Sequence, residues 1–482
     1  MIDATARDPY PCRMGVRASI NRVLVLAALA GAPAAAGATT WAIQSVDVGS
    51  NSGTSTSLGI VQGFPVIAYF GAPRNLKYAA MDHQSFVWNL RRIDAGGEYT
   101  SLAVDAVGAV HVGYIDAQTN QLKYYLNFGG QSAIQVIDSE TGQGGMGFFN
   151  SIQVDRNGRP HISYYYWRSP DGTTTSDRLK FADASAAGWT PAFADPQVGR
   201  GRYNSLAIDP SNNPVIAYYD AGGQGPPTAF SRKLRLAGEI SPGTWVSLVV
   251  DSVGDPGRFN SIALDAAGHE HISYIASTPL ELRYAAFNGS TWSYEDVAPV
   301  GAAATVTPGT SLALDAGGFP HIAFYDGAAR ELKYATRNGP NSWTVETVDS
   351  LTGGDVGGYC SLKLDGTGRP LISYYDATNQ QLKIAYGGYP DDDGDGIPNA
   401  FDAFPEVADH NNNGIPDGKE GGVLVGVSGI PQLKDEPIFG CGSLAALYGG
   451  KPPGGGPPPA DLLFLLAPAA YLLLRKSSRR RV

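Results

Sequence analysis

Residues 319–335 read FPHIAFYDGAARELKYA and place His321, Tyr325 and Asp326 within six positions of one another. An imidazole, a phenol and a carboxylate at this spacing can pass a proton between them, as catalytic acids and bases do. A single active site uses one set of residues, whereas a scaffold repeats them. The rest of the chain therefore decides between catalysis and scaffold.

A second group of reactive side chains lies in residues 389–422. The stretch YPDDDGDGIPNAFDAFP carries oxygen ligands at Asp391, Asp393, Asp395, Asn399 and Asp402. A less charged copy, DHNNNGIPDGKE, carries them at Asp409, Asn411, Asn413, Asp417 and Glu420. Alternating oxygen side chains wrap a hard cation, and glycine permits the turn. The pattern predicts two calcium loops, the second weaker; the alternative is a solvated acidic linker.

The His–Tyr–Asp stretch belongs to a unit that recurs along most of the chain. Clear copies are SLAIDPSNNPVIAYYD at 205–220, SLALDAGGFPHIAFYD at 311–326 and SLKLDGTGRPLISYYD at 361–376. Each copy begins at an anchor serine, and the anchors are Ser57, Ser101, Ser151, Ser205, Ser261, Ser311 and Ser361. Their mean spacing of about 51 residues lies in the range of propeller blades.

Each unit holds four strand-like segments, which we call a to d. Segment a reads S-L-x-x-D, b reads P-x-I-x-Y-Y-D, c reads L-K-Y-A, and d often starts with tryptophan and ends near V-D. Seven copies predict an all-β, seven-bladed β-propeller over residues 39–388. A d segment, WAIQSVDV at 41–48, precedes the first a segment, and the last copy ends at segment c. The N-terminal strand should therefore complete the last blade and remove an exposed edge.

The units resemble the SLALDxxGxPHISYYD-type repeats of secreted bacterial and archaeal β-propellers, related in shape to sialidase-like propellers. The resemblance covers roughly residues 41–388 and implies architecture rather than activity. The sialidase Asp-box S-x-D-x-G-x-x-W is not reproduced, and no arginine triad can be assigned. No catalytic residue is therefore predicted. Residues 389–422 resemble thrombospondin type 3 repeats.

Several repeated polar positions have a structural interpretation. One strand b position holds His111, His161, His271 and His321, but valine or leucine in the other copies, which indicates packing. The aspartates that end strand b should cap backbone amides, although Asp326 is kept as a candidate ligand contact. The aspartates that end strand a should start tight turns.

The loops between segments d and a and between b and c share one face of a propeller, and they vary between copies. Variable loops on a rigid scaffold are where binding residues usually lie. The candidate contacts are Phe148, Phe149, Trp167, Arg200, Arg202, Tyr203, Arg258, Phe259 and Tyr359. Aromatic and arginine side chains suit sugar or peptide surfaces. Alternatively, Tyr203, Phe259 and Tyr359 fill gaps between blades.

The N-terminus has the pattern of an export signal. Arginines precede the apolar run VLVLAALAGAPAAAGA, so residues 1–38 are expected to be a signal peptide. The formal net charge of −10 argues against a nucleic-acid partner.

The C-terminal residues divide into a linker at 423–459 and a hydrophobic and basic tail at 460–482. They resemble the tripartite C-terminal sorting signals of Gram-negative bacteria, of the JDVT-CTERM or MYXO-CTERM kind. That resemblance implies a membrane sorting protease as partner and Cys441 as the processing or lipid-attachment residue. A simple membrane anchor is the alternative.

These features together predict a monomeric, exported propeller at the outer membrane or cell surface, or extracellular after processing. Calcium would stiffen a stalk after the propeller, and the loop-rich face would bind glycan or protein. The alternatives are a propeller glycoside hydrolase or lyase and a purely structural envelope protein.

Overall fold

The computed structural model describes residues 39–48, 51–139, 144–168, 176–185, 188–222, 232–301 and 309–424. Most of these residues form β-strands, grouped into seven sheets. The predicted export signal, Cys441 and the C-terminal tail lie outside the described residues. No helix in the described part of the chain is long and apolar enough to cross a membrane.

Strand β1 (Trp41–Asp47) comes first, and the blades follow in chain order. Blade 1 contains β2 (Ser52–Val61), β3 (Phe64–Gly71), β4 (Asn75–Met81) and β5 (Trp88–Ala95). Blade 2 contains β6 (Glu98–Val104), β7 (Val110–Asp116), β8 (Gln121–Phe128) and β9 (Gln131–Ser139). Blade 3 contains β10 (Gly144–Val154), β11 (Pro160–Arg168), β12 (Arg178–Ser185) and β13 (Gly188–Asp195).

Blade 4 contains β14 (Arg200–Ile208), β15 (Pro214–Asp220), β16 (Lys233–Ser241) and β17 (Thr244–Asp251). Blade 5 contains β18 (Pro256–Leu264), β19 (Glu270–Ser277), β20 (Leu280–Phe287) and β21 (Trp292–Pro299). Blade 6 contains β22 (Thr310–Leu314), β23 (Pro320–Asp326), β24 (Glu331–Gly339) and β25 (Ser342–Asp349). Blade 7 contains β26 (Val356–Leu364), β27 (Pro370–Asp376) and β28 (Gln381–Gly387).

The first strand of each blade is the innermost. Strands β2, β6, β10, β14, β18, β22 and β26 contact one another in succession, and β26 contacts β2. The blades therefore close into a ring, which confirms the predicted seven-bladed β-propeller. Strand β1 pairs antiparallel with β28 as the outer strand of blade 7. The prediction that the N-terminal strand completes the last blade is also confirmed.

The anchor serines connect neighbouring blades. Ser57 Oγ accepts a hydrogen bond from the Leu102 amide at 2.9 Å, and Ser361 Oγ accepts one from the Leu58 amide at 3.0 Å. The same bond joins Ser101, Ser151, Ser205, Ser261 and Ser311 to the next blade. Seven equivalent bonds thus run round the ring, which explains why serine recurs at this position.

A second contact between blades joins a strand b tyrosine to the aspartate that ends the preceding blade. The pairs are Tyr69–Asp47, Tyr114–Asp94, Tyr164–Asp138, Tyr218–Asp195, Tyr274–Asp251 and Tyr374–Asp349. A strand c lysine often reaches the same carboxylate, as Lys77 reaches Asp47 at 2.9 Å. Between blades 5 and 6, Phe324 and Ala298 replace the tyrosine and the aspartate. The donor hydroxyl and its acceptor carboxylate are therefore absent from the same junction.

The chain continues past blade 7 through a short 3-10 helix (Asn399–Phe401), helix α1 (Asp417–Glu420) and strand β29 (Val423–Leu424). Strand β29 pairs in parallel with β5 and adds a fifth strand to blade 1. The chain thus returns to the outer edge of the blade next to the ring closure.

Candidate binding face and calcium loops

The His–Tyr–Asp stretch at 321–326 does not form a proton relay. His321 Nδ1 contacts the Tyr334 hydroxyl, and its Nε2 lies 3.7 Å from Asp315 Oδ2. Tyr325 instead donates a hydrogen bond to Asp355 at 2.8 Å. Burial lowers the pKa of His321, so this imidazole is neutral near pH 7. These three residues therefore have separate partners.

Asp326 caps the exit of its strand as predicted. Its Oδ1 accepts a hydrogen bond from the Ala328 amide at 3.0 Å, and Lys333 lies 3.1 Å from its Oδ2. Burial opposes ionisation, but the Lys333 ammonium and the backbone amides outweigh it and lower the pKa of Asp326. Asp116, Asp220 and Asp376 cap their strands in the same way. The position is structural, and these contacts reduce the case for Asp326 as a ligand contact.

The aspartates that end strand a start tight turns, as predicted. Asp315 Oδ1 accepts hydrogen bonds from the amides of Gly317 and Phe319, both at 2.8 Å. The equivalent pair of bonds forms at Asp105, Asp155, Asp209, Asp265 and Asp365. These turns lie on the face opposite the variable loops.

Four aromatic side chains form an arc across blades 2 to 5, which we call the aromatic arc: Tyr99, Phe149, Tyr203 and Phe259. Successive ring centroids are 5.1, 4.5 and 4.3 Å apart, and each side chain is half-buried. Such contacts between blades are those that the gap-filling interpretation requires. Because part of each ring is exposed, the arc can also contact a ligand.

A bulge in each of the inner strands β6, β10, β14 and β18 sets the position of the arc. The arc residues have φ between 50° and 53°, a conformation uncommon for residues other than glycine. The next residue holds the bulge to the preceding blade. Asn260 Nδ2 donates to the Tyr203 carbonyl at 2.6 Å, and Thr310 Oγ1 donates to the Phe259 carbonyl at 2.8 Å. Sequence reasoning missed this role, although the Asn or Thr before the anchor serine recurs and was the available signal.

The remaining aromatic candidates lie around the arc. Phe148 packs against Tyr99 with ring centroids 5.4 Å apart. Tyr359, in blade 7, packs against Tyr375. Trp167 is half-buried near the end of β11. The structure therefore brings Phe148, Phe149, Tyr203 and Phe259 into one sector, and Tyr359 of blade 7 also lies close enough to Tyr99 to interact with it electrostatically.

The three candidate arginines differ in how far they are engaged. Arg200 forms ion pairs with Asp195 at 2.9 Å and Asp220 at 3.1 Å, and its side chain is 21% exposed. Two carboxylates hold its guanidinium, which indicates a structural role.

Arg202 is more exposed. It contacts Asp177 at 3.2 Å and the Tyr165 hydroxyl at 3.1 Å, and its side chain is 43% exposed. Arg258 lies over the Tyr219 ring at 5.5 Å. Both arginines stand next to the aromatic arc, so the sector combines half-buried rings with partly exposed arginine side chains.

The first acidic loop has the geometry of a cation site. Carboxylate oxygens of Asp391, Asp393 and Asp395 lie within 4.8 Å of one another, and one oxygen of Asp393 is buried without a hydrogen-bond partner. The amides of Gly394 and Gly396 donate to Asp391 at 2.9 and 3.1 Å. Both glycines have positive φ, which the tight turn requires.

The electrostatics of this loop also fit a cation. Burial, together with the charge of Asp393, raises the pKa of Asp391, of Asp402 and of Asp395, the last to about 6. Neighbouring carboxylates at this spacing repel one another, and a bound cation would relieve that repulsion. Oxygen ligands in this number and spacing suit Ca²⁺ better than a transition metal. Asn399 is turned toward its own loop, where it accepts a hydrogen bond from the Asp392 amide.

The second loop repeats the turn with fewer charges. Asp409 accepts hydrogen bonds from the amides of Asn413 and Gly414, at 3.1 and 2.8 Å. Glu420 accepts one from Asn411 Nδ2 at 2.8 Å. The structure thus brings Glu420, from helix α1, to the candidate ligand Asn411 of the loop. Asp417, from the same helix, accepts from the His410 amide.

The acidic segment packs against the propeller rather than leaving it as a stalk. Ile397 and Phe401 belong to a core that includes Trp88 and Tyr386. The Gly422 amide donates to the Val46 carbonyl at 2.7 Å. Up to Leu424, the structure therefore differs from the expected stalk, because apolar residues between the acids are buried against blades 7 and 1.

No protein-family model matches the sequence, and no curated protein is similar to it. Solved structures share the architecture. An ulvan lyase of polysaccharide lyase family PL25 is 14% identical with a TM-score of 0.50, over 73% of this chain and 96% of that chain.

Two further structures match more weakly. The Hadza microbial sialidase Hz136 is 13% identical, with a TM-score of 0.41, over 65% of this chain and 73% of that chain. The six-bladed fungal lectin of Aleuria aurantia is 14% identical, with a TM-score of 0.41, over 63% of this chain and 98% of that chain. At such identities, the likeness to the lyase shows the propeller fold alone.

Proposed function

We propose that this chain is an exported, calcium-stabilised β-propeller that binds glycan through blades 2 to 5 of its loop-rich face. The observation that carries the proposal is the aromatic arc flanked by Arg202 and Arg258. Half-buried aromatic rings offer apolar faces on which the C–H face of a sugar can pack. The exposed guanidinium groups beside them supply the few directed donors that a ligand site needs for orientation.

A glycan array with the full chain tests this proposal. We expect Arg202→Ala and Arg258→Ala each to weaken the binding of any retained glycan about 10-fold or more, since each removes a charged hydrogen-bond donor. Arg156→Ala is the matched control, because Arg156 lies in a turn of the opposite face. Equal binding by all three variants would refute this face. Release of new sugar ends in the same wells would instead indicate a glycoside hydrolase or lyase.

We also propose that the acidic segment binds Ca²⁺. Asp391, Asp393, Asp395, Asn399 and Asp402 would hold one ion. A second, more weakly bound ion would be held by Asp409, Asn411, Asn413, Asp417 and Glu420. Bound calcium would neutralise much of the negative charge of these carboxylates and so relieve their mutual repulsion. Titration calorimetry of calcium into the chelator-treated chain tests this, with Asp393→Asn as the variant expected to lose the tighter site; no heat in the wild type would refute it.

Export and surface location remain proposals from the sequence. Residues 1–38 would direct export, and Cys441 would be the site at which the C-terminal tail is processed or lipidated. Mass spectrometry of the mature C-terminus from wild type and Cys441→Ser would test the second point. A wild-type chain that retains residues up to Val482 would favour a simple anchor.

A further inference from the structure

Asp255, in the loop before β18, is shared by two arginines. Arg232 Nη1 lies 2.9 Å and Arg258 Nη2 3.1 Å from the same oxygen, Oδ2. The Tyr219 hydroxyl donates to the other oxygen, Oδ1, at 2.7 Å. One carboxylate therefore faces two guanidinium groups, and the cluster of Tyr219, Arg232, Asp255 and Arg258 carries a net positive charge.

The positive charge of this cluster points outward. The Asp255 side chain is 11% exposed, whereas Arg258 is 34% and Arg232 is 47% exposed. Each arginine donates to Asp255 through one nitrogen, Nη1 of Arg232 and Nη2 of Arg258. The carboxylate thus orients the two arginines from below without saturating their donors, which is how a protein prepares guanidinium groups for an incoming anion.

Arg258 is an addition to a contact that the scaffold makes without an arginine at this position. Between blades 6 and 7, the Tyr325 hydroxyl donates to Asp355 at 2.8 Å, as Tyr219 does to Asp255. Three residues before its anchor serine, however, blade 7 has Gly358 where blade 5 has Arg258. The Tyr–Asp contact belongs to the propeller, so Arg258 calls for another explanation.

Blade 4 carries a related arrangement one blade away. Arg202 stands at the same position relative to its anchor serine as Arg258 does. Asp177, which pairs with it, is only 6% exposed, against 43% for Arg202. Tyr203 and Phe259 directly follow these two arginines in the chain, with ring centroids 4.3 Å apart, and Tyr203 lies close enough to both arginines to interact with their charges. Two outward guanidinium groups thus flank an aromatic surface.

We infer that blades 4 and 5 bind an acidic glycan, with Arg258 and Arg232 holding the carboxylate or sulfate group of one sugar and Arg202 that of another. This inference rests on the proposed glycan-binding function and adds the class of sugar. The planar guanidinium matches the oxygens of a carboxylate or sulfate in a two-pronged contact. The chain as a whole has a formal net charge of −10, which repels polyanions. Binding of an acidic polymer therefore depends on this local cluster rather than on general attraction.

Two matched pairs of polymers test the inference: polygalacturonate against its methyl ester, and dextran sulfate against dextran. Within each pair the backbone is the same and only the charge differs. With the full chain immobilised, we expect at least one charged polymer to bind about 10-fold or more tightly than its uncharged partner. Its affinity should fall as sodium chloride is raised, because salt screens ion pairs.

Variants then assign the binding to the cluster. Arg258→Ala and Arg232→Ala should each reduce the affinity for the charged polymer about 10- to 100-fold. Arg258→Lys should recover only part of it, because lysine keeps the charge but loses the planar fork. Arg156→Ala, on the opposite face, should bind as the wild type does. Arg232→Ala keeps the test valid if Arg258→Ala misfolds, because a side chain that is 47% exposed can be removed without disturbing the core.

The outcomes separate the two levels of the proposal. Binding to neutral polymers alone, with Arg232→Ala unchanged, would overturn the acidic specificity and leave glycan binding standing. Equal binding of poly-glutamate would overturn it in favour of acidic protein. Failure to bind any polymer, together with an empty glycan array, would overturn both levels.

Discussion

Tyr374 and Asp349 should be energetically coupled, and the junction between blades 5 and 6, which lacks both groups, shows why. Tyr374 is fully buried in β27 and donates to Asp349 Oδ2 of the preceding blade at 2.5 Å. Lys383 Nζ approaches the same oxygen at 3.0 Å. At the equivalent junction between blades 5 and 6, the chain has Phe324 and Ala298 instead.

The single substitutions each leave a partner unsatisfied. Tyr374→Phe removes a hydrogen bond to a charged acceptor and should cost about 1.5–3 kcal/mol in the free energy of unfolding. Asp349→Ala leaves a buried hydroxyl and an ammonium, and should cost about 3–5 kcal/mol. Lys383 keeps Asp376 at 3.3 Å, which moderates the second loss.

The double variant should cost less than the sum of the two single variants. It recreates the Phe–Ala junction, where Lys333 pairs with Asp326 at 3.1 Å. Because neither unsatisfied partner remains, we expect a coupling free energy of about 1–3 kcal/mol. Urea unfolding of the wild type, both singles and the double, all in calcium, measures it. Additivity within about 0.5 kcal/mol would refute the contact as a coupled pair.

Three further predictions concern closure, calcium and pH. Deletion of residues 39–50 removes β1 and exposes the edge of β28, so the melting temperature should fall sharply; an unchanged value would refute closure by this strand. Chelation of calcium should lower the melting temperature of the wild type, and that of Asp393→Asn much less, because only a chain that binds the ion gains stability from it. Burial lowers the pKa of His161 to about 4. The unfolded chain therefore takes up a proton that the folded chain does not, and stability should fall by about 3 kcal/mol between pH 6.5 and 4. His161→Val, which copies the valine of blades 1 and 4, should flatten that part of the pH profile measured by urea unfolding.

The sequence predicts the propeller because comparison of its seven copies shows which positions recur in every blade and which differ. Alternating apolar residues and recurrent Asp–Gly turns locate the strands, and the leading d segment reveals the ring closure. The histidine at 321 is recognised as packing for the same reason, since Val66 and Leu371 take its place in other blades. Repetition along the chain is therefore sufficient for architecture.

Contacts between blades could not be predicted in the same way. The aspartate that ends segment d, such as Asp349, and the lysine of segment c, such as Lys383, recur clearly in the sequence. Their common partner, however, is a tyrosine of the next blade, and only the ring geometry brings the three together. Each residue has a local signal, but the triad depends on which blades are neighbours.

The docking of the acidic segment was missed for a different reason. Alternating acids dominate the pattern and predict a solvated stalk. Ile397 and Phe401, between those acids, are buried in the same apolar cluster as Trp88 of blade 1, which a stalk in solvent would not require. Apolar residues inside an otherwise charged repeat were the signal for packing. If calcium binds there, the ion would order a segment that lies over both the first and the last blade.

The exceptions to the repeat fall into two kinds, and the difference bears on function. Where the scaffold changes, it changes in compensated pairs, as Phe324 and Ala298 do. Arg258 is not compensated in this way: the Tyr–Asp contact beneath it recurs in blade 7 above a glycine, and its side chain is more exposed than that of the acid that holds it. An arginine that adds to a contact already made elsewhere in the scaffold, and that is more exposed than its carboxylate partner, is better explained by a ligand than by stability. For this reason blades 4 and 5, rather than the histidines that repeat round the ring, are where binding should first be sought.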